Sequence, residues 1–387
     1  MSIRGAAFIA GAYEHPRRKI PDRSVAQIHA EVAVGALADA GLSLSDVDGY
    51  FTVEPHGLGA ITLAEYLGLN VSYIDSTLTG GSSYLVHVGH AAAAIAAGKC
   101  NIALITLGGH ARPAPHMRFP SRAAGTPHGA FEEVYGVTTV NNYALAARRH
   151  MYEFGTTSEQ LAEIKVAASH HAQFNPNARL RDKVSVEEVL DSPMVADPLH
   201  RLDCCVMTDG GGALVVVSPA VAKTLDRTCV KVLGQGEAPK HTMNGRPDLT
   251  YTGAVWSGPR AFAEAGVTPA DVDYASIYDS FTITVLETIE DLGFCEKGKG
   301  GNFVMDGGLI SPTGRLPFNT DGGGLCNNHP VNQGGMTKVI EAVRQLRGEA
   351  APEVQVPDCR IALAHGSGGR ISSRMGSSTL ILGQEDA

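Results

Sequence analysis

One phrase of thirteen residues occurs twice in the chain. Ala36 to Asp48 reads ALADAGLSLSDVD and Ala261 to Asp273 reads AFAEAGVTPADVD, with seven positions identical at a constant offset of 225. Each copy has the grammar of a helix that ends and a strand that begins. Alanine-rich turns close at Gly41 or Gly266, where glycine adopts the left-handed conformation without a Cβ penalty. Ser43 or Thr268 then starts a short turn into the acidic D-V-D, and the runs Gly49 to Val53 and Tyr274 to Ile277 suit strands. A second echo pairs Asn101-Ile-Ala-Leu with Arg360-Ile-Ala-Leu, each entering a glycine-rich bend. The simplest reading is a duplicated α/β half, so functional groups are sought where the halves meet.

At 387 residues the chain can fill two sizeable cores, and 44% hydrophobic with 18% charged residues is ordinary globular composition. A net charge of −9 with no long Lys/Arg cluster argues against nucleic acid or an anionic membrane as the main partner. The apolar stretch Gly5 to Tyr13 is too short for a membrane span and reads as a first strand, so a soluble, cytoplasmic protein is expected. Seven cysteines, odd in number and irregularly spaced, read as reduced thiols. No stretch matches the G-x-G-x-x-G, P-loop or G-x-S-x-G patterns.

Two halves are expected, 1–225 and 226–387. The first alternates strands and alanine-rich helices in the rhythm of a mostly parallel sheet, including a helix over Ser82 to Ala97 and a strand over Ile102 to Leu107. A Pro/His/Arg-rich loop and two helices, Thr139 to Phe154 and Ser158 to Gln173, interrupt it as an inserted loop domain over about 110–200. The strand Gly212 to Ser218 closes that half. In the second, the expected elements are a helix over 279–292, a glycine-rich loop, a helix over 336–348 and strands near 360–364 and 378–382.

Four motif groups carry a family resemblance. They are His150-Met-Tyr-Glu-Phe-Gly-Thr-Thr with Asn175-Pro-Asn-Ala, Leu202-Asp-Cys-Cys-Val-Met-Thr-Asp-Gly-Gly, Tyr278-Asp-Ser-Phe, and Gly322-Gly-Gly-Leu-Cys-Asn-Asn-His-Pro. With the duplicated plan and its insertion, they make the chain resemble the sterol-carrier-protein-2-type branch of the thiolase superfamily. The resemblance implies a thiolase fold of duplicated βαβαβ halves in five αβαβα layers, a homodimer or larger oligomer, and action on coenzyme A thioesters with no tightly bound cofactor.

The departures from that family matter most. Thiolases place a nucleophilic cysteine at the N-terminus of the buried helix in the first half; two registers put that position at Gly81 or Leu78, and no cysteine lies between Ser72 and Lys99. The second thiolase cysteine is replaced by His365, and its alternative site in the sterol-carrier-type H-D-C-F motif reads Tyr278-Asp-Ser-Phe. The histidine of the H-P motif survives as His329. The sequence thus resembles the superfamily aldolases that cleave steroid side chains, which lack the nucleophile and use tyrosines. Tyr278 matches one such position, whereas His329 stands where the other tyrosine would be.

The reading that follows is retro-aldol cleavage of a β-hydroxyacyl-CoA without an acyl-enzyme. His329 and Tyr278 move protons, and His365 with the backbone around Gly81, Ser82 and Ser83 holds the thioester oxygen. Gly324 and Gly368 let backbone approach the ligand. Two rivals are an acyltransferase with an unaligned nucleophile and a non-catalytic acyl-CoA-binding subunit. Relatives with this pattern imply a small OB-fold partner carrying a zinc ribbon, and the tract His110 to His128 with Arg112, Arg118 and Arg122 suits either that contact or CoA phosphates. Other groups read more simply. Cys204 and Cys205 are expected to pack the core, Cys326 lacks a helix N-terminus to activate it, Ser82 and Ser83 begin a helix, and His87 and His90 pack rather than bind metal.

Overall fold

The computed structural model describes residues 2–53, 58–111, 129, 131, 134–135, 138–241, 246–331, 333–371 and 373–387. Most of the basic tract between His110 and His128 lies outside them. The first half builds β1 (Phe8–Glu14), α1 (Val25–Ala40), β2 (Gly49–Phe51), α2 (Ala60–Tyr66), β3 (Tyr73–Asp75), α3 (Ser83–Ala96) and β4 (Ile102–Gly109). The insertion supplies helices Thr139–Phe154 and Ser158–Ala172 and a small ribbon of β5 (Met194–Ala196) and β6 (Leu199–His200), and β7 (Gly210–Val217) returns to the main sheet. The remainder comprises β8 (Val230–Lys240), helix Ala254–Ala265, β9 (Tyr274–Ile277), helix Thr282–Asp291, helix Gly335–Arg347, β10 (Ile361–Arg370) and β11 (Ser373–Gly383).

Among the described residues nine strands join in the order β3-β2-β4-β7-β1-β8-β11-β10-β9. The run β2-β4-β7-β1 is mirrored by β8-β11-β10-β9, and the two meet where Phe8 pairs with Lys231 and Ile9 with Val230. The sheet is mixed rather than mostly parallel. β2–β3, β2–β4 and β9–β10 run parallel, whereas β4–β7, β1–β7, β1–β8, β8–β11 and β10–β11 are antiparallel. The hydrophobic runs fix burial, but they carry no information on strand direction when a long insertion separates partners.

Three cores give the layers. α3 and helix Gly335–Arg347 lie at the centre, packed against Ala103, Ile105, Leu214 and Val216 from one half and Ala362, Ala364, Leu380 and Leu382 from the other. α1 covers the outer face of the first half through Val32, Ala33, Ala36 and Leu37. Helices Ala254–Ala265 and Thr282–Asp291 and the inserted helices cover the outer face of the second. Met336, Val339, Ile340, Val343 and Leu346 are buried along the central helix, each contributing about 1.5–3 kcal/mol at most relative to exposure.

The two sequence echoes are one mechanical device built twice. Gly41 and Gly266 take φ of 70° and 69° and close their helices, and Asp46 or Asp271 accepts the backbone N–H of Ser43 or Thr268 at 2.8 Å. The final aspartate of each D-V-D then pins the strand that follows much later: Asp48 accepts the N–H groups of Asn101 and Ile102 at 2.9 and 2.7 Å, and Asp273 those of Arg360 and Ile361 at 2.8 and 2.9 Å. In the insertion, buried His150 bonds Thr156 at 2.8 Å and Glu290 at 3.0 Å, which ties its motif to the second half. Asn175 donates to the carbonyl of Asp321 at 2.9 Å, tethering the Asn-Pro-Asn-Ala turn to the loop that carries His329.

Candidate active site

The chain enters the site from β9, whose end is set by the N–H of Tyr278 donating to the carbonyl of His365 at 3.0 Å. Asp279, the next residue, is fully buried and gathers the glycine-rich loop. Its two carboxylate oxygens accept the N–H groups of Gly324 and Leu325 at 2.8 and 3.1 Å, and Lys338 of the central helix sits 2.7 Å from it. That contact is one of charge rather than an aligned hydrogen bond. Gly323 takes a φ of 60°, and a Cβ there would lie 2.2 Å from Asp279, so the loop closes on the carboxylate only because side chains are absent. Asn328 donates to Glu14 at 2.8 Å and accepts from Thr208 at 2.6 Å, while Arg18 donates to Asn327 at 2.7 Å. The paired asparagines therefore anchor the His-Pro turn to the end of β1.

His329 emerges from this scaffold against Tyr278. Its Nε2 lies 2.8 Å from the Tyr278 hydroxyl, and the rings meet edge to face with centroids 5.2 Å apart. Its Nδ1 lies 3.4 Å from the Cys205 sulfur. Burial raises the Tyr278 phenol well above its ordinary value and pushes the Cys205 thiol up as well, reinforced by the Asp279 charge. Both groups are therefore protonated at neutral pH. With the phenol as donor, Nε2 of His329 is the acceptor of this hydrogen bond.

Gly81 faces the same tyrosine. A Cβ built at Gly81 would lie 2.4 Å from both Cε2 and the hydroxyl of Tyr278 and 2.5 Å from the Ser367 carbonyl. In the register that equates Gly81 with the thiolase nucleophile, the space for that side chain is filled by the phenol. Backbone packs directly on backbone nearby, since a Cβ on Gly368 would fall 2.0 Å from the Thr79 carbonyl and 2.6 Å from the Gly81 nitrogen.

The other sequence-derived groups fare differently. His365 is not at a strand end beside the dyad. It lies inside β10, because Gly366 to Gly369 continue the strand where the Thr79–Gly81 backbone packs against it. The strand pleat turns its side chain toward helix Ala254–Ala265, where Nδ1 bonds Thr379 at 2.9 Å and Thr379 in turn contacts Ser257 at 2.9 Å; Gly366 faces Leu85 of α3. Burial lowers its pKa to about 3, so it is a neutral core histidine and not a donor to the Tyr278 face. Ser82 and Ser83 do not cap α3. Their hydroxyls turn back to the carbonyls of Thr79 and Gly80 at 2.9 and 2.8 Å and hold the turn that presents Gly81. The N–H of Gly324 is occupied by Asp279, and a Cβ added there would lie 3.3 Å from His329. Cys326 is buried with its sulfur 3.1 Å from Lys165.

Sequence reasoning missed Cys205, which it assigned to the core. Adjacent residues of an extended segment point to opposite sides, so one cysteine of the pair packs near the second-half core while the other reaches His329. It also found no carboxylate for His90, which lies 2.6 Å from Asp75 and 3.6 Å from Glu237 across the fold. Among the described residues no group of three or more metal-ligating side chains converges.

The comparisons agree with this architecture. Residues 236–384 match a family described as Thiolase C-terminal domain-like. The 17-hydroxy-3-oxo-4-pregnene-20-carboxyl-CoA lyase of Mycobacterium tuberculosis is 35% identical over 91% of this chain and 94% of that protein. An acetyl-CoA acetyltransferase of Methanothermobacter thermautotrophicus is 34% identical over 90% of this chain and 92% of that protein. A solved structure titled Ltp2-ChsH2(DUF35) aldolase superposes with a TM-score of 0.89 at 31% identity, covering 100% of both chains. With relatives of both kinds matched over nine-tenths of the chain, the same layered fold and the motif residues assembled around His329, the chain belongs to the thiolase superfamily.

Proposed function

We propose that the protein is a lyase that cleaves a β-hydroxyacyl-CoA by retro-aldol chemistry without an acyl-enzyme. The observation that carries this reading is the Tyr278 phenol hydrogen-bonded to His329 and seated against Gly81, the position that one register equates with the thiolase cysteine. A protonated phenol hydrogen-bonded to an imidazole nitrogen is suited to relay. Tyr278 takes the proton of the β-hydroxyl as its own passes to Nε2 of His329, and the Cα–Cβ electron pair moves into the thioester as an enolate while the β-carbon becomes a carbonyl. The proton returns through the same pair to Cα, giving a shortened acyl-CoA and a ketone or aldehyde. No oxidant, reductant or metal is needed to balance the step. The carboxyl-CoA lyase relative and the aldolase structure support the reading, and the latter, whose title pairs the aldolase chain with a DUF35 protein, supports a small partner of that class for this chain as well.

The deciding assay offers the chain a panel of β-hydroxyacyl-CoA thioesters, with and without such a partner. Cleavage to acyl-CoA and carbonyl product is expected, and the intact mass after incubation with acetyl-CoA or acetoacetyl-CoA is expected to be unchanged. A stoichiometric acyl adduct, on Cys205 above all because it contacts His329, would replace this reading with acyl transfer.

Dimerisation belongs to the same proposal. β3 is an edge of the nine-stranded sheet, and Ile61, Ile74 and Leu78 stand exposed around it. An uncovered apolar edge invites strand pairing, and a two-fold copy of the chain closes it. Light scattering at micromolar concentration should give twice the chain mass or more; a monomer would assign that edge to another partner.

A further inference from the structure

The displacement of His365 leaves the developing enolate oxygen without its expected side-chain donor, and one residue near the dyad has the chemistry to serve. We infer that Gln333 supplies that donor, through an amide whose orientation Tyr84 sets; the inference rests on the retro-aldol reading. Gln333 follows His329 by one turn of the loop and immediately precedes Gly334 and Gly335. A Cβ on Gly334 would lie 2.6 Å from His329 and 3.6 Å from the Tyr278 ring, and one on Gly335 would lie 2.0 Å from the Gly81 carbonyl. The Gln333 backbone is thus wedged between the dyad and the turn that opens α3. Its amide is not idle packing. Tyr84, fully buried in the first turn of α3, donates its hydroxyl to Gln333 Oε1 at 2.8 Å.

With the oxygen occupied, the amide must present its N–H₂ group on the other side. Among the described residues that nitrogen makes no hydrogen bond to a protein acceptor, which leaves it to serve a ligand. A side-chain amide held by a buried phenol is a preorganised dipole of the kind that stabilises an oxyanion without reorganising during the reaction. Tyr84 is then a positioning residue and Gln333 a catalytic one.

The test compares wild type with Gln333→Glu, which keeps shape and removes the donors, Gln333→Leu, and Tyr84→Phe. Two reactions are followed in each: cleavage of the best β-hydroxyacyl-CoA, and exchange of the Cα protons of the product acyl-CoA into D₂O, which needs the enolate but no aldol partner. Both Gln333 variants should lose roughly 10²–10³-fold in kcat for both reactions, the usual effect of removing one oxyanion donor. Acyl-CoA affinity should stay within a few-fold, and circular dichroism should be unchanged. Tyr84→Phe should lower kcat by less, with KM little altered, because the amide remains but is no longer fixed; a purely structural tyrosine would lower the melting temperature and leave kcat per folded molecule intact. Cleavage and exchange at wild-type rates in folded Gln333→Glu and Gln333→Leu would overturn the assignment while leaving the retro-aldol reading standing. A wild type that catalyses neither reaction with its partner present would overturn both. If one Gln333 variant does not fold, the other decides.

Discussion

Replacing Tyr278 by phenylalanine, or His329 by alanine, is expected to lower turnover of a β-hydroxyacyl-CoA by roughly two to four orders of magnitude while leaving acyl-CoA affinity nearly unchanged. Tyr278→Phe removes one hydroxyl and almost no volume, so a large loss could not be blamed on a cavity. It breaks the 2.8 Å contact with His329 and leaves the ring against Gly81 in place. Single-turnover rates for the wild type and both variants, with binding measured alongside, give the answer. Equal rates in all three would remove the pair from the mechanism and favour a binding subunit that catalyses nothing.

The second large effect concerns stability. Asp279→Ala should destabilise the protein by about 3–5 kcal/mol, because it strands the buried Lys338 charge, and it also frees the N–H groups of Gly324 and Leu325. Pairing it with Lys338→Met should recover much of that loss, since an apolar pair in such a position costs little relative to an ion pair. Equilibrium unfolding of the single and double variants measures both. A loss below about 1 kcal/mol for Asp279→Ala would mean that the loop is held mainly by the asparagine contacts to β1 and Thr208.

What the sequence disclosed follows from the range of the interaction involved. The helix ends at Gly41 and Gly266 depend on residues within one turn, and the repeat showed them directly. The boundaries of α3, of the two inserted helices and of the central helix likewise fell within a residue or two of their expected places, because apolar spacing and capping are local signals. Tyr278 and His329 were legible as motif residues, but nothing local says that they touch. Strand direction and the orientation of His365 depend on partners far away in sequence. The glycines after His365 looked like a loop because glycine usually marks a bend, whereas here they let a strand run flush against the Thr79–Gly81 backbone. Gln333 carried no signal at all until Tyr84, 249 residues earlier, was seen to hold it.

The contact between Gly81 and Tyr278 also limits how this chain could exchange one chemistry for another. A cysteine introduced at Gly81 alone would drive its Cβ into the phenol, which is fixed by His329 on its far side and by buried backbone below. Trimming Tyr278 alone would leave a void beside a backbone that offers no nucleophile to fill it. Each substitution is unfavourable without the other, and the two lie in opposite halves of the duplicated chain. Passage between covalent and non-covalent catalysis on this scaffold therefore has a steric ratchet: both positions must change together, or a third residue must first make room.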